Sequence, residues 1–235
     1  MATSSTIIAF LKDLSNTDVA SHSQKYFKTG RGQYGFGDKF LGIRVPELRK
    51  LVSKFQGTPI SQLHKLLKSE FHEIRLFSLL LCVHQFSKGD VKTREKIYKL
   101  YLNNTMHINN WDLVDTSAPH IMGAWLFDND RSILYELAHS KLLWDRRIAI
   151  MSTAYFIKNG QYNDTLKLSH ILLNDPEDLI HKAVGWMLRE VGNRDMTAEE
   201  NYLKKYYKKM PRTMLRYAIE KFDTEIRLAY LASEI

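Results

Sequence analysis

The chain of 235 residues is basic, with 34 Lys and Arg against 26 Asp and Glu and a formal net charge of +8. Apolar residues make up 44% and charged residues 26%, which are ordinary values for a globular protein and argue against intrinsic disorder. The one cysteine, Cys82, excludes an internal disulfide, and no apolar stretch reaches the roughly 18 residues that a membrane span needs. The excess positive charge favours a polyanionic partner: nucleic acid, an anionic membrane face or an acidic protein.

Apolar residues recur at helical spacing from the beginning of the chain. This spacing predicts a helix over Ile7–Leu14 and a second over Val19–Phe27. Residues 30–39 contain four glycines and form the clearest predicted loop. A third helix is expected from Pro46 to Gln56, because proline suits the first turn of a helix. The start of the chain has no basic segment followed by a long apolar run, so the expected location is the cytoplasm, or the nucleoid in a bacterium.

From residue 71 onward one helical pattern repeats, each time with a Lys or Arg near its start. The copies cover residues 71–80, 144–151, 179–189 and 211–219, and one further unit is centred on residues 110–115. A period near 36 residues with two helices in each unit is typical of an α-solenoid. The sequence therefore predicts an all-α, HEAT-like solenoid of tandem antiparallel helix pairs, forming a single domain over residues 1–235.

The repeated cations would lie on the second helix of each pair, which lines the concave face of such arrays. They would then form a basic groove with the spacing of a polyanion's charges, although a solvated helix face would give the same pattern. The residues concerned are Arg75, Arg147, Lys182, Arg189 and Arg216.

Two tryptophans and one carboxylate are candidates for chemistry. Trp111 and Asp115 are four residues apart, so they share one face of a helix. Trp186 lies two units further on, and Arg147 lies on the inner helix between them. Three successive helices would present these side chains to one groove. The alternative is structural: tryptophans at helical spacing usually belong to the core, and Asp115 could be a capping or ion-pair residue.

Four segments resemble the AlkD family of DNA alkylation-repair glycosylases. They are Asn110–Asp115, with the letters NWDLVD; Trp144–Ala149, with WDRRIA; Lys182–Glu190, with KAVGWMLRE; and the earlier Phe40–Pro46, with FLGIRVP. The likeness extends from about Tyr26 to Phe222, nearly the whole chain. The loop at residues 30–39 is longer than the family pattern.

The resemblance implies a HEAT-like fold, duplex DNA as the partner, and excision of N3- and N7-alkylated purines such as 3-methyladenine and 7-methylguanine in base excision repair. It further implies that Asp115 is the catalytic carboxylate, that Trp111 and Trp186 flank the sugar of the lesion, and that Arg147 grips the DNA backbone. Further DNA contacts are expected from Tyr26, Arg75, Lys182, Arg189 and Arg216.

The residue inventory independently favours a cationic substrate. Glycoside hydrolysis usually needs a general acid and a second carboxylate, but only Asp115 is a good candidate here. An alkylated purine that already carries positive charge leaves without protonation, so one carboxylate could stabilise the cationic sugar and orient a water. The nine histidines are scattered, and neither a metal nor another cofactor is expected. We therefore expect a monomeric, monofunctional glycosylase; the alternatives are a non-catalytic DNA-binding solenoid and a protein-interaction scaffold.

Overall fold

The computed structural model describes residues 2–235, in which all regular secondary structure is helical. By its internal contacts the chain divides into two compact units, one extending to Trp125 and the other from Leu126 to Ile235. The prediction of one domain over the whole chain stays a prediction. Within residues 2–235, no helix is both long enough and apolar enough to span a membrane.

The first unit is built around one long helix. The long α5 is central and contacts α3, α4, α6 and α7, while α1 packs against α4. A π-helical segment over Pro119–Gly123 follows α7 directly, and a short 3₁₀ turn over Thr105–His107 precedes it. The helices are α1 Ser4–Asp13, α2 Thr17–Tyr26, α3 Val45–Phe55, α4 Ile60–Leu67, α5 His72–Lys88, α6 Val91–Leu102, α7 Trp111–Ala118 and the short α8 Ala124–Leu126.

The second unit consists of three helix pairs and a C-terminal helix. Helices α10, α12 and α14 pack side by side. Helix α9 packs against α10, α11 packs against both α10 and α12, and α13 packs against α12. This arrangement confirms the predicted all-α, HEAT-like fold. The helices are α9 Ser132–Ala138, α10 Leu143–Lys158, α11 Asn163–Ile171, α12 Asp178–Gly192, α13 Met196–Tyr206, α14 Arg212–Ala218 and α15 Thr224–Ala232.

Caps and small residues set the helix boundaries and spacings. Asn16 accepts the backbone N–H groups of Asp18 and Val19 at the start of α2, and Asp90 accepts that of Thr93 at the start of α6. In the second unit a Cβ on Gly185 would lie 2.4 Å from the Met214 carbonyl oxygen. Only glycine therefore permits the close approach of α12 to α14, which places the segment bearing Trp186.

Candidate functional site

Trp111 and Asp115 lie one turn apart on α7, as their spacing predicts. Asn110 is fully buried before the helix, and its side-chain oxygen accepts the backbone N–H of Trp111 at 2.9 Å. Trp111 and Asp115 are both half-buried. Because residues four apart in a helix share a face, the indole and the carboxylate are presented together by a single short helix.

Trp111 packs against a stack of aromatic rings. The ring centroids of Trp111 and Phe27 are 5.3 Å apart with an interplanar angle of 27°, and those of Phe27 and Phe40 are 5.2 Å apart at 15°. Phe40 stacks in turn on His72 at 4.6 Å. Tyr26 meets Trp111 edge-on at 6.1 Å, and it remains 60% exposed. Ring contacts of this kind fix an indole with little remaining freedom.

A buried ionic network holds both the stack and the beginning of α7. His72 Nδ1 lies 3.1 Å from an oxygen of Asp38, and Nε2 lies 2.8 Å from an oxygen of Asp112, the residue after Trp111. Arg75 pairs with the other oxygen of Asp38 at 2.6 Å. Each ring nitrogen thus faces a carboxylate, the arrangement expected of a doubly protonated imidazolium.

The charges of this network determine the protonation of its members. Burial alone would lower the pKa of His72, but the negative charge and hydrogen bond of Asp112, with the hydrogen bond to Asp38, raise it to about 9. Burial alone would raise the pKa of Asp38, yet its contacts with His72 and Arg75 lower it below its ordinary value. The positive charges of His72 and Arg75 therefore balance the negative charges of Asp38 and Asp112 within this network.

Glu73 fixes the backbone of the Phe40–Pro46 segment. Its buried carboxylate accepts the backbone N–H groups of Leu41 and Gly42 at 2.8 Å and of Ile43 at 3.3 Å. Gly42 has φ +82°, and a Cβ there would lie 2.0 Å from the carbonyl oxygen of Asn16. Only glycine fits, and the segment is fixed against α2 and α5.

A DNA contact by Arg75 stays a prediction, on a side chain that is buried and bonded within the protein. Its side chain is 4% exposed, and besides Asp38 it bonds the Ser69 carbonyl and the side chain of Asn109. Arg75 thus joins the loop before α7 to α5. The recurrence of cations near helix starts does not by itself separate a buried arginine such as Arg75 from an exposed one such as Arg216.

Arg147 is also buried, with 5% of its surface exposed, and its guanidinium donates to the carbonyl of Leu179 at the beginning of α12. Neighbouring Arg146 pairs with Asp175 at 2.6 Å, which joins α10 to the segment before α12. A DNA contact by Arg147 stays a prediction, now on a side chain with an evident packing role.

The remaining predicted residues of the second unit have mixed surroundings. Trp186 is half-buried on α12, and its Nε1–H donates to Glu190 at 3.3 Å. Lys182 pairs with Asp178 at 2.8 Å, and Arg189 pairs with Glu220. Arg216 is exposed. Trp111 and Asp115 belong to the first unit and these residues to the second; their predicted convergence on one groove stays a prediction.

Sequence reasoning missed the network beneath Trp111. The available signal was that His72 and Glu73 open an apolar helix, where a charged pair must find buried partners. Within residues 2–235 no group of three or more His, Cys, Asp or Glu side chains could hold a metal. The two carboxylates beside His72 lie instead on opposite ring nitrogens.

Comparison with known proteins identifies the family. The model of the DNA alkylation repair enzyme family matches residues 7–222, and the chain belongs to this family. No curated protein sequence matches significantly. Among solved structures, the chain is similar to a predicted DNA alkylation repair enzyme from Enterococcus faecalis, with a TM-score of 0.70 and 17% identity over 89% of this chain and 97% of that one. At this identity the likeness shows the fold, while family membership supports an enzyme that acts in the repair of alkylated DNA.

Proposed function

We propose that this protein is a monofunctional DNA glycosylase that hydrolyses the N-glycosidic bond of cationic alkylated purines in duplex DNA. Its substrates would include 3-methyladenine and 7-methylguanine, and it would begin base excision repair. The observation that carries the proposal is the pairing of Trp111 and Asp115 on α7, whose first turn is fixed by the Asp112–His72 contact of 2.8 Å. Membership of the DNA alkylation repair family supports it.

The proposed hydrolysis uses the Asp115 carboxylate and the neighbouring Trp111 indole. As the bond to the base breaks, positive charge develops on the sugar, and a preorganised carboxylate at Asp115 stabilises that charge and orients the attacking water. The indole of Trp111 adds a cation–π contact of about 0.5–2 kcal/mol. By the family resemblance Trp186 contacts the sugar and Arg147 contacts the DNA backbone. Tyr26, Arg75, Lys182, Arg189 and Arg216 are the further proposed DNA contacts.

The environment of His72 favours a cationic leaving group. This imidazole lies in the aromatic stack, but it is buried and both its nitrogens are engaged by carboxylates. It therefore cannot serve as the general acid that a neutral base would need. An N3- or N7-alkylated purine departs as a neutral base without added protonation, so the site needs no acid.

The decisive experiment is single-turnover release of 7-methylguanine from duplex DNA by the Asp115→Asn variant. Asn has nearly the same size but no negative charge, and loss of a preorganised electrostatic group costs about 10²–10³ in rate. Thermal melting and DNA affinity should remain near wild type. Asp112→Asn is the matched control on the same helix: because Asp112 bonds His72 in the core, this variant should lose rate and melting temperature together.

The outcomes separate the alternatives. A wild-type rate for Asp115→Asn would show that the carboxylate is not catalytic. Salt-dependent DNA binding without any base release by the wild-type protein would favour a non-catalytic binder, and absence of salt-dependent binding would favour a protein scaffold.

A further inference from the structure

The glycine-rich loop, residues 28–37, is ordered by its own hydrogen bonds. Gly35 N–H donates to the Lys28 carbonyl at 3.2 Å, and Phe36 N–H donates to the Gln33 carbonyl at 3.1 Å. The Gln33 side chain accepts the backbone N–H of Gly30 at 2.9 Å. A loop fixed in this way has already lost most of its conformational freedom, so it can bind a partner with little further ordering cost.

This loop lies at the edge of the Trp111 site. The residue before it, Phe27, stacks on Trp111, and the residue after it, Asp38, belongs to the buried ionic network. A Cβ on Gly35 would lie 2.5 Å from the Phe27 carbonyl oxygen and 3.5 Å from the Asn110 side chain. Gly35 therefore lies close to Asn110, the residue that caps α7.

The exposed surface of the loop combines apolar and cationic groups. Phe36 is 64% exposed between Gly35 and Gly37, and Gly37 has open space around it. Lys28 and Arg31 are exposed. The stretch from Tyr26 to Gly37 contains no acidic residue. A single exposed apolar side chain is unremarkable, but an exposed phenylalanine between two glycines, on a hydrogen-bonded loop that also exposes Lys28 and Arg31, is suited to a narrow, negatively charged groove.

We propose that the glycine-rich loop is a DNA-contacting element that enters a groove of the duplex beside the damaged nucleotide, with Phe36 as an apolar wedge at a base step and with Lys28 and Arg31 on flanking phosphates. This inference rests on the proposed function for its choice of partner. Glycines without side chains permit close approach of the backbone to the DNA, and apolar wedges of this kind partly unstack a base step. The loop thereby holds the duplex against Trp111.

Binding of a 7-methylguanine duplex by Phe36→Ala, measured by fluorescence anisotropy, is the first test. We expect a loss of about tenfold in affinity, the scale of one aromatic–base stacking contact, with an unchanged melting temperature because Phe36 is exposed. The matched control is Val91→Ala. Val91 is 69% exposed at the start of α6, and it follows the far end of α5, roughly 25 Å along that helix from His72. This control should bind as the wild type does.

The cations are tested by salt dependence. Lys28→Asn and Arg31→Gln should each reduce the slope of log affinity against log salt by about one, whereas Phe36→Ala should leave the slope unchanged. Asparagine suits position 28 because the backbone there has φ +52°, which asparagine tolerates better than most residues. An unchanged slope in both cation variants would overturn the phosphate contacts.

A 2-aminopurine placed beside the lesion reports the wedge directly. The wild-type protein should raise its fluorescence by unstacking the step, and Phe36→Ala should remove most of that rise. If Phe36→Ala matches the wild type in affinity and in fluorescence while 7-methylguanine is still released, the loop proposal fails and the glycosylase proposal stands. If the wild type releases no base but Phe36→Ala still weakens binding, the glycosylase proposal fails and the loop proposal stands. Equal weakening on single-stranded DNA would overturn insertion into a groove.

Discussion

Replacing His72 by Gln tests whether the buried network contains a charged imidazolium. The pKa of His72 is raised from 6.5 to about 9, so the folded state holds this proton more tightly than the unfolded chain. For a raised pKa, the stabilisation is complete below the unfolded value and disappears as the pH rises through the folded one. The rise of the His72 pKa from 6.5 to about 9 corresponds to about 3 kcal/mol of stability.

Urea unfolding of the wild type and of His72→Gln, from about pH 6 to about pH 10, measures this contribution. Glutamine keeps a hydrogen-bond donor but has no proton to lose, so the stability difference between the two proteins should shrink by about 3 kcal/mol across this range. Glu199 titrates in the same window because burial raises its pKa to about 8, but it does so in both proteins and cancels in the difference. A stability difference that stays constant with pH would refute the charged imidazolium.

Two further substitutions test the surroundings of α7. Arg75→Leu should lower the free energy of unfolding by about 3–5 kcal/mol, because it leaves Asp38 buried without its 2.6 Å partner. An unchanged salt slope of DNA binding would show that Arg75 does not contact phosphate. A slope reduced by one would show that Arg75 does contact it. Gly42→Ala should lower the melting temperature strongly, because Gly42 has a φ of +82° and a Cβ there would lie 2.0 Å from the Asn16 carbonyl oxygen. A wild-type melting curve would show that the Phe40–Pro46 segment can move to make room for the methyl group.

The helical architecture could be predicted because each repeat carries its own periodicity and boundary signals. Apolar spacing and the proline at position 46 are local features, and local features can be read from the sequence without knowledge of long-range contacts. The position of Trp111 and Asp115 on one helix face was predictable for the same reason, since it depends only on a spacing of four residues.

The environment of the site could not be predicted because it depends on long-range pairs. Arg75 meets Asp38 across 37 positions of sequence, and His72 meets Asp112 across 40. A pattern of arginines near helix starts cannot tell a phosphate ligand from a side chain that bonds a carbonyl of its own chain, as Arg147 does with Leu179. Burial, which decides between the two, comes only from the packed structure.

The two ends of the glycine-rich loop are fixed by different chemistry, with Phe27 in an aromatic stack and Asp38 in an ionic cluster. Residues 30–33 take part in neither anchor, whereas Thr29 bonds the Gln24 carbonyl of α2. The segment 30–33 can therefore be exchanged for a shorter, longer or differently charged one without disturbing the helices on either side. The loop is therefore a position at which related proteins can differ. It also suits grafting, because Phe27 and Asp38 would place a transplanted segment beside Trp111 whatever its own sequence.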